Sequence, residues 1–275
     1  MPSHVAHALR RGMRLTLVGL ALVGLALAFG AVAPAAAQTP APRIAAASDL
    51  KFALDEVIAA FARETGRSVV PTYGSSGNFK TQILQGAPFQ LFLSADEGFV
   101  FELDEKGLTV DRGTLYGVGR IVLFAPKGAN WAPDPLLADL KAALADGRIT
   151  RFAIANPEHA PYGRAAREAL QHARLWRAIA PKLVLGENVA QATQFATSGS
   201  AQGGIIPLSL ALTPRVKAAG AFALIAADWH GPLRQRAVVL KGAGPTARAF
   251  YDFLQDPPAR GVFQRHGFVL PNEGR

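Results

Sequence analysis

The chain has 275 residues, with 29 lysines and arginines against 20 acids, a formal net charge of +9 and no cysteine. The absence of cysteine excludes disulfides, thiolate metal sites and cysteine nucleophiles, so an exported form must rely on its own hydrophobic core. The basic residues are scattered with no aromatic-interleaved run, which argues against nucleic-acid binding; the charge reads as a solvated basic surface or as a long-range attraction for anions.

In chain order, Arg10, Arg11 and Arg14 precede an apolar run over 15–32 and then Ala35-Ala36-Ala37. This is the pattern of a cleavable secretory signal peptide over 1–37, followed by a flexible leader over 38–42. The run approaches the length of a membrane span, but Pro34 and the alanines after it favour processing. Cleavage after Ala37 takes three charges from the nine, leaving about +6. The expected location is the periplasm.

Beyond the leader, helix and strand signals alternate. Leu50, Leu54, Val57, Ile58 and Phe61 share one face of a helix predicted over 49–65 and ended by Gly66. A strand follows at 69–72, then a short helix over 79–84 closed by Gly86, and a buried strand at 91–93 that leads through Ser94-Ala95-Asp96 into another helix. Residues 116–125 read as one long strand stopped by Pro126. A second series comprises helix 136–145, strand 151–155, helix 163–173, strand 182–185, helix 189–197 and strand 203–206. The final third holds a strand over 235–240, a helix over 246–254 and a last helix near 260–265, ended by Gly267. Such alternation with short links predicts an α/β fold with a largely parallel sheet. Two series and a tail predict two lobes, 43–119 plus 231–275 and 120–230.

Four strand-to-helix turns stand out. Ile44-Ala45-Ala46-Ala47-Ser48-Asp49-Leu50 and Tyr73-Gly74-Ser75-Ser76-Gly77-Asn78 fall in the first series; Ala155-Asn156-Pro157-Glu158-His159-Ala160-Pro161-Tyr162-Gly163 and Gly186-Glu187-Asn188-Val189 fall in the second. Each serine or asparagine alone is more simply a helix cap, worth about 1 kcal/mol. Together, four starts beyond the carboxyl ends of the strands could meet across a cleft. Neutral donors (Ser48, Ser76, Tyr162 and the first helical N–H groups) suit a desolvated tetrahedral anion, which needs several hydrogen bonds. Asp49 and Glu158 lie close by in sequence, so a proton-bearing anion is not excluded by the donor set.

Competing constellations do poorly. Gly117-Val118-Gly119 lacks the third glycine of a dinucleotide loop, and there is no phosphate-binding Gly-x-x-x-x-Gly-Lys run and no Gly-x-Ser-x-Gly elbow. The histidines at 159, 172, 230 and 266 show no metal spacing. A secreted serine hydrolase using Ser48 or Ser76 would require a histidine beside the serine.

Ala45-Ala46-Ala47-Ser48-Asp49-Leu50, Gly74-Ser75-Ser76-Gly77, Gly86-Ala87-Pro88 with Leu93-Ser94-Ala95-Asp96, and Asn156-Pro157-Glu158-His159-Ala160-Pro161-Tyr162-Gly163 resemble the periplasmic molybdate-binding proteins of ABC transporters. Glu187-Asn188-Val189 and the terminal Phe250-Tyr251-Asp252-Phe253-Leu254 with His266-Gly267-Phe268 extend the likeness over roughly 43–270. The resemblance implies a two-lobed, type II-like binding protein that closes on molybdate or tungstate and delivers it to an inner-membrane permease. It implies a monomer without catalysis or cofactor, with molybdenum held as its oxyanion and no residue coordinating the metal. By the same resemblance the ligand residues are Ser48, Ser76, Tyr162 and Val189, with Asp49 and Asn78 as further candidates. One departure matters: Gly204-Ile205-Ile206-Pro207 has proline where several members carry a ligand tyrosine, and Tyr162 is expected to take over that contact. The same fold tuned to sulfate or phosphate is the nearest alternative.

Overall fold

A computed structural model describes residues 40–271; the predicted signal peptide, and residues 38 and 39 of the leader, lie outside the described residues. Strand β1 (Arg43–Ala47) is lined with small side chains, and Ile44, Ala45 and Ala46 are wholly buried. Alanine lets the flanking helices approach a central strand closely while still removing apolar surface from water. A 3-10 turn at Ser48–Leu50 links β1 to helix α1 (Lys51–Thr65), which Gly66 ends in the left-handed conformation. Next come β2 (Val70–Gly74), α2 (Ser76–Leu84), β3 (Leu91–Ser94), α3 (Glu97–Glu105) and β4 (Thr114–Gly119).

The second series is β5 (Ile121–Pro126), α4 (Ala138–Ala145), β6 (Phe152–Ala155), α5 (Pro161–His172), α6 (Trp176–Ile179), β7 (Leu183–Gly186), α7 (Val189–Thr197), β8 (Gly204–Pro207), α8 (Leu208–Ala211), α9 (Pro214–Ala219) and β9 (Gly220–Leu224). The chain then returns through β10 (Leu233–Val239), α10 (Pro245–Phe253) and α11 (Pro257–Arg265).

Two five-stranded sheets result, ordered β2-β1-β3-β10-β4 and β7-β6-β8-β5-β9. Both are mixed, which corrects the expectation of a largely parallel sheet. In the first, β1 runs parallel to β2 and β3, while β10 is antiparallel to β3 and β4. In the second, β6 is parallel to β7 and β8, while β5 is antiparallel to β8 and β9. The antiparallel members β5 and β10 are the strands that arrive from the other sheet. Alternation of helix and strand signals carries no information on the direction from which a strand enters.

The predicted long strand over 116–125 is two strands. It breaks at Arg120, where β4 ends in the first sheet and β5 begins in the second. Gly119 sits at the break because a Cβ there would collide with Tyr162 Oη. Sequence reading also passed over the edge strand β9 and the short helices α6, α8 and α9. The tail packs on the first sheet and α1: Phe263 lies tilted against Tyr116 and edge-on to Phe268, Phe250 and Phe253 meet Phe61 edge-on, and Val269 bridges Val118.

Candidate functional site

The four turns converge. A small cavity is lined by Ala47, Ser48, Asp49, Gly74, Ser75, Ser76, Ala95, Ala160, Pro161, Tyr162, Asn188 and Val189. Every contributing segment ends a strand and starts a helix, so the first N–H groups of those helices, which have no intrahelical acceptor, are gathered at one point. A larger groove, lined by Lys51, Phe52, Gln191, Gln194 and Arg215 among others, meets this cavity at Ser48 and Asn188.

Each start is built differently. Ser48 is 3% exposed, and its Oγ has no hydrogen-bond partner among the described residues. A buried hydroxyl without a partner is unfavourable by about 1–3 kcal/mol, so this group is free to bond whatever enters the cavity. Ser76 Oγ accepts from the Ala95 N–H at 3.0 Å, which leaves its own hydrogen to donate. Asn188 Oδ1 caps Ala190 N at 3.0 Å and Gln191 N at 3.1 Å, so Val189 N–H, the first of α7, is outside the cap. Helix α5 opens on Pro161, whose missing N–H is no loss there, and places Tyr162 N–H at the second position.

The side chain of Tyr162 is held in a buried network beside the cavity. Its Oη donates to Asp49 Oδ2 at 2.8 Å and accepts from Gln235 Nε2 at 2.9 Å. Gln235 Nε2 also reaches Asp49 Oδ2 at 2.6 Å, and Gln235 Oε1 accepts from Tyr116 Oη at 2.8 Å. The hydroxyl is therefore part of a buried hydrogen-bond network at the junction of the sheets. Pro207 ends β8 and precedes α8, and is not among the residues that line the cavity. Burial, and after it the Asp49 charge, pushes the Tyr116 and Tyr162 hydroxyls well above the ordinary range. Burial also raises the Asp49 carboxyl to about 6, against the opposing hydrogen bonds of Gln235 and Tyr162. Ser209 Oγ, from α8, donates to the Asp49 carbonyl at 2.9 Å.

Asn78 is not brought into the cavity. Its Nδ2 lies at the rim, donating to Glu187 Oε2 at 3.3 Å. It belongs to a seam between the two sheets' helices: Ser75 Oγ donates to the His159 carbonyl at 2.5 Å, and Gly77 N–H reaches the same oxygen at 3.0 Å. The His159 ring Nδ1 is 3.1 Å from Ser75 Oγ. The histidine that a serine hydrolase needs is thus beside Ser75, whose hydrogen goes to a carbonyl, and not beside Ser48 or Ser76. Among the described residues no cluster of histidine and acidic side chains could hold a metal ion. Sequence reasoning missed Ser75, Gln235 and Ser209; Gln235 and Asp49 are 186 positions apart, and no local pattern joins them.

The chain matches the family model for bacterial extracellular solute-binding proteins over residues 42–269. It is 37% identical over 217 residues to the molybdate-binding protein ModA of Rhodobacter capsulatus, an alignment spanning 78% of this chain and 82% of the relative. It is 34% identical over 232 residues to ModA of Escherichia coli K12, spanning 82% and 87% respectively. Among solved structures, the periplasmic molybdate-binding protein of Azotobacter vinelandii superposes with a TM-score of 0.75 at 30% identity, covering 84% of this chain and 99% of that one. The sulfate-binding protein SubI of Mycobacterium tuberculosis shares the fold, with a TM-score of 0.69 at 16% identity, covering 86% of this chain and 88% of that one.

Proposed function

This chain belongs to the bacterial extracellular solute-binding proteins, and we propose that it captures molybdate, and tungstate with it, in the periplasm and hands it to the permease of an ABC importer. The observation that carries the reading is Ser48 Oγ, buried without a partner in a cavity ringed by helix starts. A tetrahedral oxyanion there receives the Ser48 and Ser76 hydroxyls and the main-chain N–H groups of Tyr162 and Val189. Charge-assisted hydrogen bonds of this kind replace the water that the anion loses. The protein meets the oxygens alone, and no side chain coordinates molybdenum. Nothing is transformed; the ligand is held and released by a monomer.

The two sheets serve as lobes, 43–119 with 231–275 and 120–230, hinged at Arg120 and at the segment between β9 and β10. Each lobe holds half of the donors, so a complete cage exists only when they close. Calorimetry with molybdate, tungstate, sulfate and phosphate tests the reading. Tight binding of the first two, and weak binding of the others, is expected. Tight sulfate or phosphate binding with none for molybdate would overturn it in favour of the alternative oxyanions.

A further inference from the structure

Asp49 is the one charged residue lining the cavity. It is 1% exposed. Its Oδ2 already accepts from Tyr162 Oη and Gln235 Nε2, whereas Oδ1 is buried with no partner among the described residues. An ionised carboxylate and a dianionic oxyanion in one desolvated cavity repel each other strongly, and such pairs share a proton instead. Because Oδ2 is occupied by two donors, Oδ1 is the oxygen with room for that proton.

We infer that binding of a dianionic oxyanion draws one proton from solvent onto Asp49 Oδ1, which turns the carboxylate from a repelling acceptor into a donor of the cage. This deepens the oxyanion reading above and rests on it. The side chains bonded to Asp49 leave the proton no other holder, and the His159 ring near the cavity is bonded to Ser75, not to Asp49. Tyr116 on β4 and Tyr162 on α5 are neutral hydroxyls, β10 offers the neutral Gln235, α8 offers Ser209, and α7 offers Asn188 and Val189. Lys51, at the start of α1, is 2.9 Å from Asp55 in an exposed pair. Burial, even against the hydrogen bonds of Gln235 and Tyr162, already lifts the Asp49 carboxyl to about 6 before any ligand charge is added.

The test is calorimetry of the mature protein with sodium molybdate, in buffers of differing ionisation enthalpy, at pH 8, 7 and 6. Uptake of about one proton is expected at pH 8 and about half a proton at pH 6, where the free carboxyl is half protonated. The Kd should fall about tenfold per unit as the pH drops from 8 towards 6.5 and level off below about 6. Asp49→Asn keeps the Oδ2-like acceptor and presents an amide N–H where the proton would sit. It should bind at pH 8 about as tightly as the wild type does near pH 6, with no proton exchange and a flat pH dependence. Molybdate binding by the wild type without proton uptake at pH 8 overturns the inference and leaves the oxyanion reading standing, and needs no variant to be read. Absence of any molybdate heat at all three pH values overturns the reading, and the inference with it.

Discussion

Two serines of similar appearance have separate energetics. Ser48 Oγ has no partner, whereas Ser76 Oγ accepts from Ala95 N–H. Ser48→Ala should therefore weaken molybdate binding by about 1–3 kcal/mol while leaving the ligand-free melting temperature unchanged or slightly raised, since it removes an unsatisfied hydroxyl. Ser76→Ala should weaken binding by a similar amount and also lower the melting temperature, because a buried N–H loses its acceptor. Calorimetry paired with thermal melts of both variants separates the two roles. Asp49 adds a pH signature of its own. Its folded carboxyl is raised from 3.8 to about 6, so the native state holds this proton more tightly than the unfolded chain does. Its contribution is most favourable below pH 3.8 and is lost as the pH rises through 6, a difference of about 3 kcal/mol. Ligand-free Asp49→Asn should thus melt higher than the wild type at pH 8 and close to it at pH 4.

At the scale of elements, the site is made of helix beginnings, and the way each is capped decides which N–H groups are left for a ligand. Asn188 takes the second and third N–H groups of α7 and leaves the first. Helix α2 gives its Gly77 N–H to the His159 carbonyl on the facing loop, and a Cβ on Gly77 would lie 2.5 Å from that oxygen. Gly77→Ala should therefore hold the seam apart. Within α2 itself alanine is the better helix former, by about 0.5–1 kcal/mol. The variant should keep or gain ligand-free stability while losing molybdate affinity by tenfold or more. A variant with unchanged affinity would remove the seam from the closing movement.

For the whole molecule, the decisive property is that the chain passes between the sheets at Gly119–Arg120 and again between Leu224 and Leu233. One crossing is the single residue Arg120 and the other contains the 3-10 turn Ala227–Trp229, and the buried Asp49–Tyr162–Gln235 bonds form across that junction; on the proposed reading the sheets close by rotation about these segments. Small-angle scattering should report a smaller radius of gyration for the wild type on addition of molybdate, and Gly77→Ala should show little change. Equal radii with and without bound ligand in the wild type would show a cage that fills without closing.

Composition and local pattern were enough to determine the class of fold, the four strand-to-helix turns and the residues at their tips, because capping, hydrophobic periodicity and glycine stops act within a few positions of one another. Ser48, Ser76 and Tyr162 were legible in that way and Val189 through the family resemblance, and the structure brings all four to one cavity. The direction of β5 and β10, the break at Arg120, the rim position of Asn78 and the use of Tyr162 Oη were decided only by the tertiary structure. Each depends on a partner about a hundred or more positions away, or on the lobe from which a strand arrives. The same holds for Asp49. Its place beside Ser48 could be read from the sequence, but its burial between Tyr162 and Gln235, which makes its charge costly, exists only once the two sheets have met.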